Sequence, residues 1–502
     1  MAFGDKHTPE YVPVPFGEWL PDQPPTGLRG VVTATNVIPD ANSYRPFPSL
    51  VTFATGVSGR CLGGIVATDG AGNNYNYVGD ASKLYSLVAT SFTNVTRASG
   101  GNYTTATDDF WEFVNWGNTV IGVNGYNDSP QVITLGGATF ANLSVGVKAK
   151  HVCVMKDFVV AGNISDSALN VYRVRWSAIN NPYSWTVDAA TMADFQDLPS
   201  EGGPVQKVLG GEYGVVLQQK SVWRMLFVGS PLVFQFDKVH AQIGAYAPQS
   251  AVRYQNDVYF LAEDGFYAFD GSTVRGIGRG KVDRFFFDDL ASANAARIYG
   301  FVDAPNKLIM WAYPSGSNSG GNPDKLILYS WAYDRWAIVE GLNIEVLLPS
   351  VTTGYTMDGL DALYSSIDAI PVSLDSTQWQ GGQFVNGAFN SSHQLQRFNG
   401  SAMAATIETG EFQLFPDSRC QIEEVRPAAD GLSASTSVML VNRNNLTESA
   451  SVGGIQTYPN ATGFCQFRVD ARYFRVRLVT AASTDFLHLI GVEVKAVPTG
   501  RR

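Results

Sequence analysis

Charge is scarce in this chain of 502 residues: Asp, Glu, Lys and Arg make up 16% of it, against about 25% in ordinary soluble domains. What charge there is leans acidic, with a formal net value of −10, and this excludes the broad basic surface of a strong nucleic-acid or anionic-membrane binder. Cysteine is nearly absent as well. Cys61, Cys153, Cys420 and Cys465 show no CxxC spacing, which excludes a zinc ribbon and a disulfide-built scaffold and predicts free thiols. Cys420 and Cys465 share the C-terminal region and would pair only in an oxidising setting; burial as small hydrophobes is the favoured reading. The five histidines, His7, His151, His240, His393 and His488, lie far apart and outside any ligand motif, so no metal is expected. No apolar run reaches the roughly 18 residues of a membrane helix, and the opening ten residues lack the apolar core of a signal peptide. Synthesis in the cytoplasm and no membrane insertion are therefore expected. Helical patterning is equally rare, the clearest stretch being Val282 to Arg297.

Glycine and aromatic residues fill the space that charge leaves, with 50 glycines and 12% aromatics. They fall into a recurring unit seen most plainly from Arg253 to Gly271, RYQNDVYFLAEDGFYAFDG. Val258 to Leu261 reads as a short apolar strand, Glu263-Asp264-Gly265 as a turn, and Phe266 to Phe269 as the aromatic return strand. Comparable hairpins begin near Asn74, Asn118, Asp157, Glu212 and Asn306, roughly every 40 to 55 residues, which is the spacing of four-stranded propeller blades. Ala388 to Gly400 is a candidate seventh copy. One such hairpin buries a single face, so the copies must stack around an axis and the ring must close. A long β-sandwich or β-solenoid is the competing architecture.

The expected fold is all-β: a β-propeller of six or seven degenerate blades, an extended proline-rich N-terminal arm and a C-terminal β-sandwich-like domain. Residues 1–50 form the arm, which proline keeps out of central strands and which is expected to lie on a surface. Residues 51–400 form the propeller, with an irregular crossing segment near 346–387 anchored by Trp379. Residues 401–502 alternate apolar and polar side chains, as in Phe474 to Val479, and are expected to form the separate sandwich.

Three carboxylate groups were weighed for propeller-type glycosidase chemistry: Asp108, Asp109 and Glu112 in one loop, Asp288-Asp289, and Glu423-Glu424. Each is equally well explained as a solvated turn or strand face. Asp69 to Asn74 lacks the alternating acidic ligands of a calcium loop, and Arg275 to Lys281, RGIGRGK, lacks the pattern of a phosphate cradle. No catalytic, cofactor-binding or metal-binding residue is assigned, and no enzymatic activity is expected.

Taken in order, the segments resemble the tail nozzle, or tail hub, proteins of short-tailed bacteriophages, a family often labelled packaged-DNA stabilisation proteins. The resemblance rests on GEWLPDQPPTGLRGVVTATNVIPDANSYRPFPSL (17–50), RVRWSAINNPYSWTV (173–187), GGEYGVVLQQKSVWRM (210–225), DALYSSIDAIPVSLDS (361–376), DARYFRVRLV (470–479) and the terminal PTGRR. It covers nearly the whole chain through texture rather than any single specific motif. What it implies is a virion tail component made in the host cytoplasm: a ring, expected as a homohexamer, below the head-to-tail adaptor or portal complex. Tail fibres and a tail plug or needle would be further partners. The ring would close the packaged genome in and conduct it during ejection, with only transient, non-specific contact with double-stranded DNA. A wall that lets DNA slide should not grip phosphates, and the acidic balance agrees with that. A phage receptor-binding or carbohydrate-binding tail protein is the alternative.

Overall fold

The computed structural model describes residues 11–143, 146–351, 366, 384–416 and 418–500. Among these residues, seven antiparallel groups of four strands follow one another along the chain. Blades 1 to 6 occupy 63–94, 112–142, 148–197, 205–240, 252–276 and 299–339, and blade 7 begins at 344. First strands of neighbouring blades touch around a common axis. Ile344–Val351 of blade 7 touches Gly63–Thr68 of blade 1, which closes the ring, while the short 3₁₀ turn Pro248–Ser250 bridges blades 4 and 5. The chain is therefore a seven-bladed β-propeller.

The hairpins legible in the sequence are the second and third strands of these blades. In blade 5, Asp257–Ala262 pairs with Gly265–Phe269 in the register Val258 to Phe269 and Ala262 to Gly265, leaving Glu263-Asp264 as the loop. Nearly every residue of this pair is buried, because one face packs on blade 4 and the other on blade 6. Val282 to Arg297 forms the helix Asp283–Asp289 and the 3₁₀ turn Ser292–Arg297; Phe286 packs its ring 4.8 Å from those of Phe266 and Tyr313.

Blade 7 contains only three strands from its own stretch of chain, Ile344–Val351, Phe384–Asn390 and Gln394–Ala402. Its outermost strand is Pro48–Gly56, which pairs antiparallel to Gln394–Ala402 with Leu50 opposite Phe398 and Thr52 opposite Gln396. Most of the expected crossing segment, including Trp379, lies outside the described residues.

The N-terminal stretch is extended and proline-rich as expected, but it does not lie on a surface. It is woven into the sheets. Val31–Thr35, which holds no proline, is a central strand between Ala405–Thr409 and, through Thr35 and Ile338, the last strand of blade 6. Pro13 and Pro15 sit in the edge strand Tyr11–Pro15, where a missing N–H costs no ladder bond. Phe16, Trp19, Val37, Tyr44 and Phe47 are all buried.

The C-terminal strands are likewise not a separate body. One sheet of the sandwich joins Arg419–Ala429, Cys465–Ala471 and Leu489–Gly500 to Tyr11–Pro15, Val37–Pro39 and Tyr44–Pro46; the other continues blade 6 into a nine-stranded sheet. A single apolar core runs from Phe266, Trp311 and Trp336 to Ile407, Leu478 and Val494. A sandwich that lacks strands of its own must borrow them, and the N-terminal stretch supplies them.

Arg335, at the start of the last strand of blade 6, holds this stretch in place. It donates to the carbonyls of Asp40 (2.6 Å), Ala41 (3.0 Å) and Gly17 and stands over the Tyr44 ring at 4.6 Å. With Arg335 only 6% exposed, its removal takes away the donor that these part-buried contacts share. Arg335→Ala is expected to lower unfolding free energy by about 3 kcal/mol in urea titrations. A loss below about 0.5 kcal/mol, the size of an ordinary surface substitution, would show that the clasp contributes little.

Candidate functional site at the propeller mouth

The first strands of blades 2 to 6 begin at the same end of the axis, and the residues at their starts enclose a cavity of about 290 Å³. Asp108, Asp109 and Phe110 come from the approach to blade 2, Lys150 and His151 from blade 3, Pro204 and Gln206 from blade 4, and Pro248 and Gln249 from the turn before blade 5. Gly125, Tyr126 and Asn163 complete one wall. Gly125 has φ +97°, and a Cβ there would meet Asp109 Oδ2 at 2.5 Å, so glycine lets Asp109 close against Lys150. Asn163 sits at a shift of register between Gly162 and Ile164 with φ +56°, a conformation asparagine tolerates better than most residues. The bulge turns its side chain inward, where Nδ2 donates to the Val205 carbonyl (2.9 Å) and Oδ1 accepts from the Tyr126 hydroxyl.

Beneath the cavity lies a buried polar network centred on Glu112. Its Oε1 accepts from Lys207 Nζ (2.8 Å) and Gln249 Nε2 (2.7 Å) and lies 2.7 Å from His151 Nδ1; Oε2 accepts from the Val152 N–H (3.3 Å). Burial alone would raise the Glu112 pKa. The Lys207 ammonium and the His151 ring, by charge and by hydrogen bond, override that and hold the carboxyl well below the usual carboxylate range. Glu112 engages the His151 ring through Nδ1, so Nε2 is the ring nitrogen left over. That nitrogen is buried and has no hydrogen-bond partner.

Across the axis a second network joins blades 7 and 1. Glu345 Oε2 accepts the Cys61 N–H (2.8 Å) and its Oε1 lies 2.7 Å from His393 Nδ1. Arg60 is partly buried beside it, with Nε and Nη2 unpartnered, and burial together with the nearby Arg297 charge lowers its pKa.

Of the carboxylates weighed from sequence, Asp108, Asp109 and Glu112 gather at the mouth, while the others stand elsewhere. Asp109 pairs with Lys150 at 2.6 Å. Asp288 pairs with Arg284 on the exposed helix face, and Asp289 accepts from Tyr313 and Lys325, both at 2.9 Å. Glu424 accepts from the Tyr11 hydroxyl in the sandwich, and Glu423 lies in the same sheet. Asp69 accepts the N–H groups of Ala71 and Asn73 in a closed turn. In the Arg275 to Lys281 loop, Lys281 pairs with Glu18 (2.6 Å) and Asp334 (2.9 Å). His240 accepts backbone N–H groups, and His488 lies near Ser43; His7 is outside the described residues. All four cysteines are free and buried. Sequence reading missed the convergence of His151, Lys207 and Gln249 on Glu112, since Gln249 stands 137 residues away and no local spacing announces the contact.

No family model matches the chain, and no curated protein matches it. Among solved structures, one similar domain is described as the extracellular part of a hybrid two-component system from B. thetaiotaomicron, at 7% identity and TM-score 0.43. The alignment covers 82% of this chain but 47% of that one, so this chain spans about half its length. The WD40 domain of Neurospora crassa Pan2 aligns at 7% identity and TM-score 0.38 over 72% of this chain and 96% of that one. An exo-β-1,3-galactanase from Phanerochaete chrysosporium aligns at 10% identity and TM-score 0.26 over 89% of this chain and the whole of that one.

Removing one partner of a buried ion pair leaves the others uncompensated, so Glu112→Gln is expected to cost about 3 kcal/mol at pH 7. The pH dependence has a definite sign. Because the folded-state pKa lies below the ordinary value of 4.5, the stabilisation from ionised Glu112 is complete above that value and fades as the pH falls beneath it. Urea midpoints from pH 7 down to pH 3 should therefore converge for the wild type and the variant; parallel curves would contradict the assignment.

Proposed function

We propose that the protein is a structural component of a phage tail, a ring of identical chains below the head-to-tail adaptor that retains the packaged genome and conducts it during ejection. The reading starts from the resemblance carried by residues 17–50, 173–187 and 210–225, and a homohexamer is the ring it implies. The observation that carries it in the fold is the placement of exposed apolar side chains. On the propeller they concentrate in blades 3 and 4, with Leu232 65% exposed, Leu169 59% and Tyr183 54%, accompanied by Val187, Phe227 and Val228. Such a concentration is the mark of a surface that packs against another chain.

Two further features favour a ring. The propeller and sandwich share one core and one nine-stranded sheet, which makes each chain a single stiff unit. The cavity at the propeller mouth holds about 290 Å³, too small for a duplex, so on this reading the DNA channel runs between chains. The chain's net charge of −10 suits a channel that does not grip phosphate.

Native mass spectrometry, with and without the adaptor, is the test. A closed ring of six chains is the expected result, and Leu232→Glu combined with Val228→Glu, both at exposed positions, should yield folded monomers with an unchanged melting temperature. A persistent monomer in the presence of the adaptor would refute the ring, and a trimer would favour a fibre-type receptor binder.

A further inference from the structure

The geometry points to a binding site at the propeller mouth for a neutral, polyhydroxylated small molecule of monosaccharide size, with His151 Nε2 hydrogen-bonded to one of its hydroxyls. Three observations converge on this. The first is the unpartnered nitrogen itself. His151 is 3% exposed, its Nδ1 is engaged by Glu112, and its Nε2 lies buried without a partner on a residue that lines the cavity. A buried polar atom left unmade costs free energy, and a ligand hydroxyl would recover it.

The second observation is charge. Around the mouth Asp109 is matched by Lys150 and Glu112 by Lys207, while Asp108 and Glu345 stand near Arg60 and Arg297. The charges balance one for one. A site for phosphate or a carboxylate would show surplus cation, and a cation site would show surplus carboxylate; no group of three or more metal-ligating side chains occurs among the described residues. Balanced charge leaves a neutral ligand as the one that loses least on entry.

The third is the mixture of surfaces. The polar side chains of Lys150, Asp109, Gln249 and Asn163 line the same cavity as the apolar Phe110 and Pro204. Hydroxyls of a sugar need the former, and its C–H faces need the latter. The volume of about 290 Å³ falls at the small end of ligand sites, about 300 Å³, and suits one ring rather than a polymer. This site stands apart from the ring assembly: a chain that failed to form rings would still hold it.

The experiment uses the full chain labelled with ¹⁵N at histidine, titrated with D-glucose, D-galactose and N-acetylglucosamine, and in parallel with inorganic phosphate and citrate. At least one neutral sugar is expected to bind with a Kd of about 1 mM and to move the His151 Nε2 resonance while His240 and His488 stay in place. Ala296→Trp, at a cavity-lining residue outside the Glu112 network, should weaken that binding at least about tenfold, and Val171→Trp serves the same purpose should the first variant misfold. Failure of all three sugars to move His151 would overturn the inference. So would phosphate binding as tightly as the best sugar, or binding that both filled-cavity variants leave intact.

Discussion

Closure of the blade ring is the constraint on which everything else in this structure depends. Each blade is a small sheet whose two faces are covered only by its neighbours, so an incomplete seventh blade would expose apolar faces on both sides of the gap. Blade 7 has three strands of its own, and Pro48–Gly56 completes it. Thus the earliest described part of the propeller and its last strands are bound into one sheet, and the ring cannot form until both ends of that long stretch of chain are present.

The same stretch does a second task before it reaches blade 7. Residues 11–46 pass through both sheets of the C-terminal sandwich, and Val31–Thr35 splices one of them onto blade 6. Propeller and sandwich consequently share a continuous core, within which Trp311 and Trp336 stack at 6.0 Å and Trp336 lies 4.7 Å from Tyr329. Hinge motion between two bodies is not available to such a fold.

At the axis the design is different in kind. Where outer strands pack aromatic rings, the innermost strand starts bring together Glu112, His151, Lys207 and Gln249 with almost no solvent contact. Buried ions add little net stability, but half of such a network is far worse than none or all of it. The arrangement therefore specifies how blades 2 to 5 meet at one end, and it leaves one nitrogen of the network, His151 Nε2, unspent.

The hairpins were legible from sequence because second and third strands are buried on both faces, and burial demands runs such as Val258–Leu261 and Leu326–Leu328 that stand out against a polar chain. First strands read poorly because they line a polar axis, as Lys148 to His151 shows, and fourth strands because they are short and exposed, as in Ser91–Asn94. Proline in residues 11–46 correctly signalled edges at Pro13 and Pro15 but hid the proline-free central strand Val31–Thr35. Local composition thus determined the all-β class, the repeating hairpin and the blade spacing, since these follow from neighbours along the chain. Only the tertiary structure decided the closing strand, the shared core and the polar mouth. Each of these joins residues tens to hundreds of positions apart, and loop closure over such distances leaves no trace in local pattern.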